Sequence, residues 1–237
     1  MRFLFAGTFS SFLQRLIFNM IKAFLFDLNG TMIDDMDYHT DAWHQILNND
    51  LGASMSRQEV KMHMYGKGEE MLVRVFGEGR FTDAEMAELI RNKEQTYQDT
   101  FRPNLKLIEG LDAFLEKAHK KGIKMAIGSA AIEFNIDFVL DGLNIREYFP
   151  VVVSADDVKE SKPDPETFLA CMNRLGFKPE ECIVFEDNPK GVESAQRGGM
   201  KSVVITTMHE EHEFEDLTNI LKFVEDYNDP YLDELLK

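Results

Sequence analysis

Several acidic residues stand directly after apolar runs of the chain, where they could bind a metal ion. Asp27 follows one such run, and Glu186 and Asp187 follow another. Magnesium prefers carboxylates and other oxygen atoms as ligands. We therefore predict a Mg²⁺ site formed by Asp27, Asp187 and the backbone carbonyl of Asn29. Glu186 would either bind the ion directly or help to position the residues that bind it.

A second group of residues is suited to a phosphoryl group. Such a group carries negative charge on several oxygens, so its transfer requires positioning and charge neutralisation. Lys162 would supply a positive charge, while the Ser129 hydroxyl and the backbone amide of Ala130 would donate hydrogen bonds. The backbone at Gly30 and Thr31 would add further contacts to the phosphate.

Asp27 is the predicted nucleophile. A bound cation would let its carboxylate approach an anionic phosphate and form an aspartyl-phosphate. Each residue taken alone has a simpler interpretation: Asn29-Gly30 is typical of a tight turn, Ser129 of a helix N-cap and Lys162 of a solvated surface. The combination favours phosphoryl transfer, because each run contributes a different part of one site.

The elements that must position these residues are short apolar runs separated by segments of helical periodicity. Such alternation is typical of an α/β fold, a parallel sheet with both faces covered. The predicted strands are Lys22–Phe26, Lys124–Ile127, Val151–Val153, Cys182–Phe185 and Ser202–Ile205. The predicted helices between them are Asp112–Lys120, Glu133–Leu140, Pro165–Leu175 and Gly191–Arg197. Ligands of such sheets bind beyond the carboxyl ends of the strands, which is where the candidate residues stand.

An insertion of roughly seventy residues separates the first strand from the second, far more than an ordinary connection requires. Its periodicity is helical throughout, over Tyr38–Asn49, Ser56–Met64, Glu69–Phe76 and Thr82–Thr100. We therefore predict an α/β core at residues 21–35 and 103–237, interrupted by a helical domain at residues 36–102.

Residues 1–20 form an N-terminal extension of uncertain role. The segment is apolar and carries two arginines, but it lacks the small-residue cleavage site of a signal peptide. It is also too polar in its middle to span a bilayer. Two further interpretations of the segment remain open. It could come from a start codon upstream of a natural start at Met20, or it could be an amphipathic helix that lies on the protein or on a partner. We favour the interpretations that give it no function.

The composition excludes some partners. There are 26 basic and 42 acidic residues, a net charge of −16, which would repel nucleic acid and anionic membranes. The expected partner is a small phosphorylated metabolite, and we expect a monomer or weak oligomer. The only cysteines, Cys171 and Cys182, lack metal-binding spacing and favour a reducing, cytoplasmic location.

The motifs around the candidate residues resemble those of the haloacid dehalogenase-like superfamily, in the same order, from Ile21 to the C-terminus. The matching segments are Asp27-Leu28-Asn29-Gly30-Thr31, Gly128-Ser129-Ala130, Lys162-Pro163 and Glu186-Asp187-Asn188-Pro189. Tyr38-His39 and Ala42-Trp43 are similar to the first cap helix of the β-phosphoglucomutase-like (phosphohexomutase) subgroup. The resemblance implies a Rossmannoid core and a mobile helical cap that closes over the substrate.

The cap residues of that subgroup are only partly matched. His39 aligns with a histidine near the acid/base aspartate, and Lys93 with a lysine facing the active site; a packed histidine and a solvated lysine are the alternatives. The arginine that grips the distal phosphate in the mutases corresponds to Glu69, although Lys67 nearby could substitute. Two further gripping residues are replaced, by Ala131 and Glu133. These departures favour a monophosphate substrate over a bisphosphate mutase reaction.

Asn29 is the largest departure from the family pattern. The resemblance implies an aspartate here, acting as general acid and then as general base. An amide cannot carry a proton between groups, and such catalysis typically contributes about a hundred- to ten-thousand-fold in rate. Proton transfer by His39, and partial deamidation at Asn29-Gly30, remain open.

The predicted function is therefore Mg²⁺-dependent phosphoryl transfer through an aspartyl-phosphate, most simply a phosphatase for a small phosphorylated metabolite such as a sugar phosphate. Asp27, Asn29, Ser129 and Lys162 are the expected catalytic residues. The alternatives are a phosphohexomutase, a pyrophosphate or acyl phosphate hydrolase, and a catalytically impaired phosphometabolite-binding protein.

Overall fold

The computed structural model describes residues 21–237, and a six-stranded sheet lies at its centre. The strands are β1 (Ala23–Phe26), β2 (Lys124–Gly128), β3 (Val151–Val153), β4 (Cys182–Glu186), β5 (Lys201–Ile205) and β6 (Ile220–Val224). All neighbouring strands are parallel, in the order β3-β2-β1-β4-β5-β6. The chain order reverses beside β1, so the carboxyl ends of β1, β2 and β4 share one crevice.

Four helices lie in the long connection between β1 and β2. They are α1 (Met36–Gln45), α2 (Arg57–His63), α3 (Gly68–Phe76) and α4 (Asp83–Phe101). The helices have an apolar cluster of their own, which includes Trp43, Leu47, Val60, Leu72 and Ile90. Capping boxes begin α2 and α4, because Ser56 and Thr82 each accept a bond from the backbone amide three residues on. The insertion is therefore helical, as predicted.

Five further helices follow the insertion and cover the sheet. They are α5 (Leu111–Lys120), α6 (Glu133–Gly142), α7 (Glu166–Leu175), α8 (Pro189–Arg197) and α9 (Pro230–Glu234). Residues of α5, α6 and α9 belong to one core cluster with Phe24 and Phe26, whereas residues of α7 and α8 belong to a second with Ala23 and Leu25. Alternate residues of β1 thus enter cores on opposite faces, which explains why the whole strand is apolar and buried.

The predicted fold class is confirmed, and the differences lie in particular elements. β6 and α9 were not predicted, because β6 is a half-exposed edge strand with an exposed lysine, Lys222, in its centre. The first insertion helix begins at Met36 and passes into a π-helical turn at Ile46–Asp50, where a regular helix over Tyr38–Asn49 was expected.

The predictions for residues 1–20 lie outside the described residues. Within residues 21–237, no helix combines the length and the apolar character needed to cross a membrane.

Candidate active site

Three buried carboxylates meet at the carboxyl ends of the central strands. Asp27 follows β1, Glu186 ends the neighbouring β4, and Asp187 comes next. One oxygen of each lies within 4.8 Å of the others, and this is the only such group of possible metal ligands in the described part of the chain. Carboxylates that are this close together and this deeply buried repel one another unless a cation or bound protons neutralise their charge.

Lys162 supplies a positive charge to two of these carboxylates. It reaches in from the loop between β3 and α7, and its Nζ donates to Asp27 Oδ1 at 2.6 Å and to Glu186 Oε1 at 2.8 Å. One ammonium offsets one of three carboxylates. A divalent cation would complete the neutralisation, and the all-oxygen set is the kind that Mg²⁺ prefers.

The pKa values of the group show the same excess of negative charge. Burial raises the pKa of Asp27 to about 7, although Lys162 acts against the rise. Burial and the charges of Glu186 and Asp27 raise the pKa of Asp187 well above its usual value. Burial opposes the charged form of Lys162, but the two carboxylates outweigh it and raise the Lys162 pKa. Protons are held where a cation would otherwise stabilise the carboxylates, so the residues fit a metal ion.

Two glycines allow the loops to approach each other. A Cβ on Gly30, whose φ is +78°, would lie 2.2 Å from Asp187 Oδ2, and one on Gly191 would lie 1.6 Å from Glu186 Oε1. The amide of Gly30 donates to the carbonyl of Ile33, and the buried Thr31 hydroxyl donates to Asp187 Oδ1 at 3.2 Å. The Gly30 amide and the Thr31 hydroxyl are therefore engaged within the protein. Contact of the Gly30 and Thr31 backbone with phosphate stays a prediction.

Ser129 and Ala130 follow β2 and line a cavity of about 160 Å³ beside the carboxylates. Ser129 is buried, and its Oγ accepts a hydrogen bond from the amide of Ala131 at 3.1 Å. Its hydroxyl hydrogen is thus left for another acceptor. Asp27 and Lys162 line the same cavity, so the structure brings the predicted nucleophile and phosphate-binding groups together.

Asn29 also lines the cavity, and its amide contacts Asp35, the last residue before the insertion, and His39 within the insertion. Its Nδ2 donates to Asp35 Oδ2 at 2.6 Å and lies 3.0 Å from His39 Nε2. The hydroxyl of Tyr97 donates to the same Asp35 oxygen at 2.5 Å, and the rings of His39 and Tyr97 are stacked. The Asn29 amide is thus held by Asp35, beside the start of the insertion.

Lys93 continues this polar network. Its Nζ lies 2.6 Å from His39 Nδ1 and donates to Glu94 Oε1 at 2.9 Å. The side chain is buried, so the alternative of a solvated lysine is wrong. Asn135 of α6 donates to Glu94 Oε2 at 2.8 Å and accepts a bond from Gln98 at 3.1 Å. Helix α4 is therefore bonded to the sheet-covering helix α6.

Two further lysines line the cavity, Lys67 of the insertion and Lys190 of the core. Lys67 donates to the carbonyl of Val158 at 2.5 Å, and Lys190 is paired with Glu193 at 3.3 Å. Glu69 lines the cavity, and Ala131 does as well. Every lysine among the lining residues is bonded to another group of the protein.

Sequence reasoning identified His39 and Lys93 but missed Asp35, Tyr97, Glu94 and Asn135. A signal existed in α4, where Ile90, Glu94, Tyr97 and Phe101 recur at helical spacing on one buried face. Two polar residues on that face, Lys93 and Glu94, are adjacent and opposite in charge, which indicates a buried pair.

Residues 24–205 match the haloacid dehalogenase-like hydrolase family. The chain belongs to this family. Among its relatives, fructose-1-phosphate phosphatase YqaB of Escherichia coli is 30% identical, over 76% of this chain and 93% of that protein. β-Phosphoglucomutase of Bacillus subtilis is 29% identical, over 77% of this chain and 82% of that protein.

Solved structures agree with the observed architecture. A haloacid dehalogenase-like hydrolase of family IA from Entamoeba histolytica superposes with a TM-score of 0.81, covering 91% of this chain and 98% of that one at 23% identity. That likeness concerns the fold alone. With the named relatives, the family match confirms the predicted enzyme class: this hydrolase is a phosphatase or phosphohexomutase of the family.

Proposed function

We propose that this hydrolase is a Mg²⁺-dependent phosphatase that transfers the phosphoryl group of a small phosphorylated sugar to Asp27 and then to water. The observation that carries the proposal is the group of three buried carboxylates around one lysine, beside Ser129 and a cavity of about 160 Å³. The fructose-1-phosphate phosphatase and β-phosphoglucomutase relatives support a phosphorylated sugar as the substrate.

Each residue has a defined task in this reaction. Mg²⁺, held by Asp27, Asp187 and the backbone carbonyl of Asn29, would neutralise charge between nucleophile and phosphate. Of the two Asp27 oxygens, Lys162 bonds to Oδ1, and no side-chain hydrogen bond within residues 21–237 occupies Oδ2, which is suited to attack. Lys162 and the Ser129 hydroxyl then hold the phosphate oxygens while the aspartyl-phosphate forms and reacts with water.

Asn29 restricts which leaving groups depart easily. An amide is not an acid, so Asn29 cannot protonate the leaving oxygen, and its Nδ2 already donates to Asp35. Acyl phosphates and pyrophosphate, whose leaving groups need little protonation, would therefore react faster than alkyl phosphates. This observation favours an acyl phosphate or pyrophosphate hydrolase as the second candidate function. His39 also lines the cavity, and assistance by it to a sugar leaving group stays a hypothesis, because Lys93 and Asn29 lie against its two ring nitrogens.

A phosphohexomutase acting through a bisphosphate is disfavoured. A second phosphate needs a further cation in the cavity, and two of the lining lysines, Lys93 and Lys190, are already paired with Glu94 and Glu193. Lys67 is held by the carbonyl of Val158. The carboxylate of Glu69 in the same lining would repel a second anion. A monophosphate with an uncharged sugar end fits better.

Two buried thiols bear on the cellular compartment in which the protein acts. Cys171 and Cys182 are both free, and burial raises the pKa of each to about 12, so neither is a reactive thiolate. Unpaired thiols support a reducing compartment, the cytoplasm. A monomer or weak oligomer stays a prediction.

A magnesium-supplemented screen of sugar monophosphates, acyl phosphates and pyrophosphate tests the proposal. We expect phosphate release that chelation of Mg²⁺ abolishes, together with a ³²P-labelled protein after acid quenching. Asp27→Asn should abolish both signals. Asp34→Asn is the matched control, because Asp34 is an exposed aspartate of the same loop.

The outcomes separate the candidate functions. Release of phosphate without label on the protein, or full activity in Asp27→Asn, contradicts the nucleophilic role. Substrate binding without turnover by any compound class indicates the phosphometabolite-binding protein, since Asn29 is the feature that would impair catalysis.

A further inference from the structure

The connection between β5 and β6 contacts both loops that carry the buried carboxylates. Thr207 donates from its hydroxyl to the carbonyl of Gly30, in the loop after β1, at 2.5 Å. Two residues later, Nε2 of His209 lies 3.1 Å from Nδ2 of Asn188, in the loop after β4. Neither residue lines the cavity, so neither would touch a substrate.

The protonation pattern around His209 is fixed by its neighbours. Its Nδ1 lies 2.9 Å from Oε2 of Glu213, and a carboxylate accepts, so Nδ1 carries the hydrogen. Nε2 of the neutral ring is then the acceptor for Asn188. The amide orientation of Asn188 agrees, because its Oδ1 accepts a bond from the backbone amide of Lys190 at 2.9 Å. Glu213, His209 and Asn188 therefore form one directed chain of hydrogen bonds.

This chain ends on the loop that carries two carboxylates. Asn188 directly follows Asp187, and the backbone amides of both residues donate to Glu186 Oε2, at 2.8 and 2.9 Å respectively. Gly30, which Thr207 holds, is the residue whose position brings the loop after β1 against Asp187. The carboxylates of the two loops repel each other, so their close approach needs contacts that oppose separation.

We propose that Thr207 and His209 are positioning residues that hold the two carboxylate loops at the spacing a divalent cation requires. The inference rests on the proposed metal site. Residues behind metal ligands orient them, and their loss typically lowers metal affinity about ten- to a hundred-fold. Thr207 acts on the loop of Asp27, and His209 acts through Asn188 on the loop of Glu186 and Asp187.

The test measures the Mg²⁺ concentration above which the melting temperature of the full chain without substrate begins to rise. This concentration marks the dissociation constant, because stabilisation grows with the logarithm of 1 + [Mg²⁺]/Kd. His209→Ala should increase this concentration about tenfold, and His209→Gln, whose side-chain oxygen can accept from Asn188, should restore part of the affinity. His212→Ala is the matched control, because His212 lies three residues further along the same connection, in the short helix Glu211–Phe214. Its side chain is 68% exposed and is paired with Glu210. This variant should leave the concentration unchanged.

Thr207 supplies an independent arm of the experiment. Thr207→Val keeps the shape of the side chain but removes the hydroxyl, so it should weaken Mg²⁺ binding, whereas Thr207→Ser should not. The proposal is overturned if His209→Ala and Thr207→Val bind Mg²⁺ as tightly as wild type, or if the Gln and Ser variants behave like Ala and Val. If the melting temperature of the wild-type protein does not change with Mg²⁺, that result would instead refute the metal site itself.

Discussion

At the scale of single residues, Asn29 and Asp35 are best understood as a pair. The amide of Asn29 lies 2.6 Å from Asp35 Oδ2, and Tyr97 donates to the same oxygen. The other oxygen, Asp35 Oδ1, is buried without a hydrogen-bond partner. A carboxylate is therefore present next to position 29, but it is fully buried and lies outside the cavity lining. It orients Asn29 without reaching a substrate.

The first prediction concerns an exchange within this pair. Asn29→Asp alone places two carboxylates in contact, so they would share one proton and the new acid would gain little. The double variant Asn29→Asp/Asp35→Asn keeps the total charge and lets the carboxylate introduced at position 29 ionise. We expect the double variant to hydrolyse alkyl phosphates about a hundredfold faster than wild type, measured as kcat under saturating Mg²⁺.

The same assays show whether the pair matters. Acyl phosphates, which need little protonation of the leaving group, should gain much less in the double variant. An equal gain for both substrate classes, or a larger gain in the single variant Asn29→Asp, would contradict the role assigned to Asp35.

A second prediction at this scale concerns Glu69. The lysines that line the cavity are engaged within the protein, so the Glu69 carboxylate should repel a second negative charge on a substrate. Glu69→Gln should lower KM for sugar bisphosphates on the order of tenfold and change KM for monophosphates little. Glu88→Gln, at an exposed position of α4, removes the same charge away from the cavity and serves as control. Equal effects of both variants would show that only net charge matters.

At the scale of elements, local chemistry made some features predictable. The two helices that were predicted to begin at Ser56 and Thr82 do begin there. The hydroxyl of each residue caps its helix, and the only partner required is the glutamate three positions later. The buried strands followed from continuous apolar runs. Asp35 and Asn135 could not be recognised, because their importance comes from partners far away in the chain. Local sequence does not record such contacts.

A third prediction belongs to the contact between α4 and α6. Asn135 is fully buried, donating to Glu94 and accepting from Gln98. Asn135→Ala leaves the Glu94 carboxylate short of one donor and leaves the Gln98 amide with only the Phe134 carbonyl as acceptor. The loss of the donor to a buried carboxylate costs about 1–3 kcal/mol of unfolding free energy. Urea denaturation should show this loss, while Asn173→Ala, at an exposed position of α7, should stay near wild type. A loss equally large in Asn173→Ala would refute the specific role of the network.

At the scale of the whole molecule, the helical insertion covers an α/β core that carries the carboxylates. We propose residues 36–102 as a separate cap and residues 21–35 and 103–237 as the core, since the insertion has its own apolar cluster. Lys67, Glu94 and Gln98 nevertheless bond it to the core at Val158, Asn135 and Phe134. These contacts hold the insertion over the cavity, where it can exclude water from the reaction.

The final prediction joins the metal site to the stability of the whole fold. Burial raises the pKa of Asp27 from its ordinary 3.8 to about 7. Between these values the folded protein holds a proton that the unfolded chain has released, so stability falls as the pH rises through about 7. In its proposed site, Mg²⁺ would bind the ionised carboxylate and remove this penalty. The rise in melting temperature caused by saturating Mg²⁺ should therefore grow from about pH 5 to about pH 8. Thermal unfolding at matched ionic strength, with NaCl as the control, measures it, and a rise that is independent of pH would contradict the assignment of Asp27 as a metal ligand.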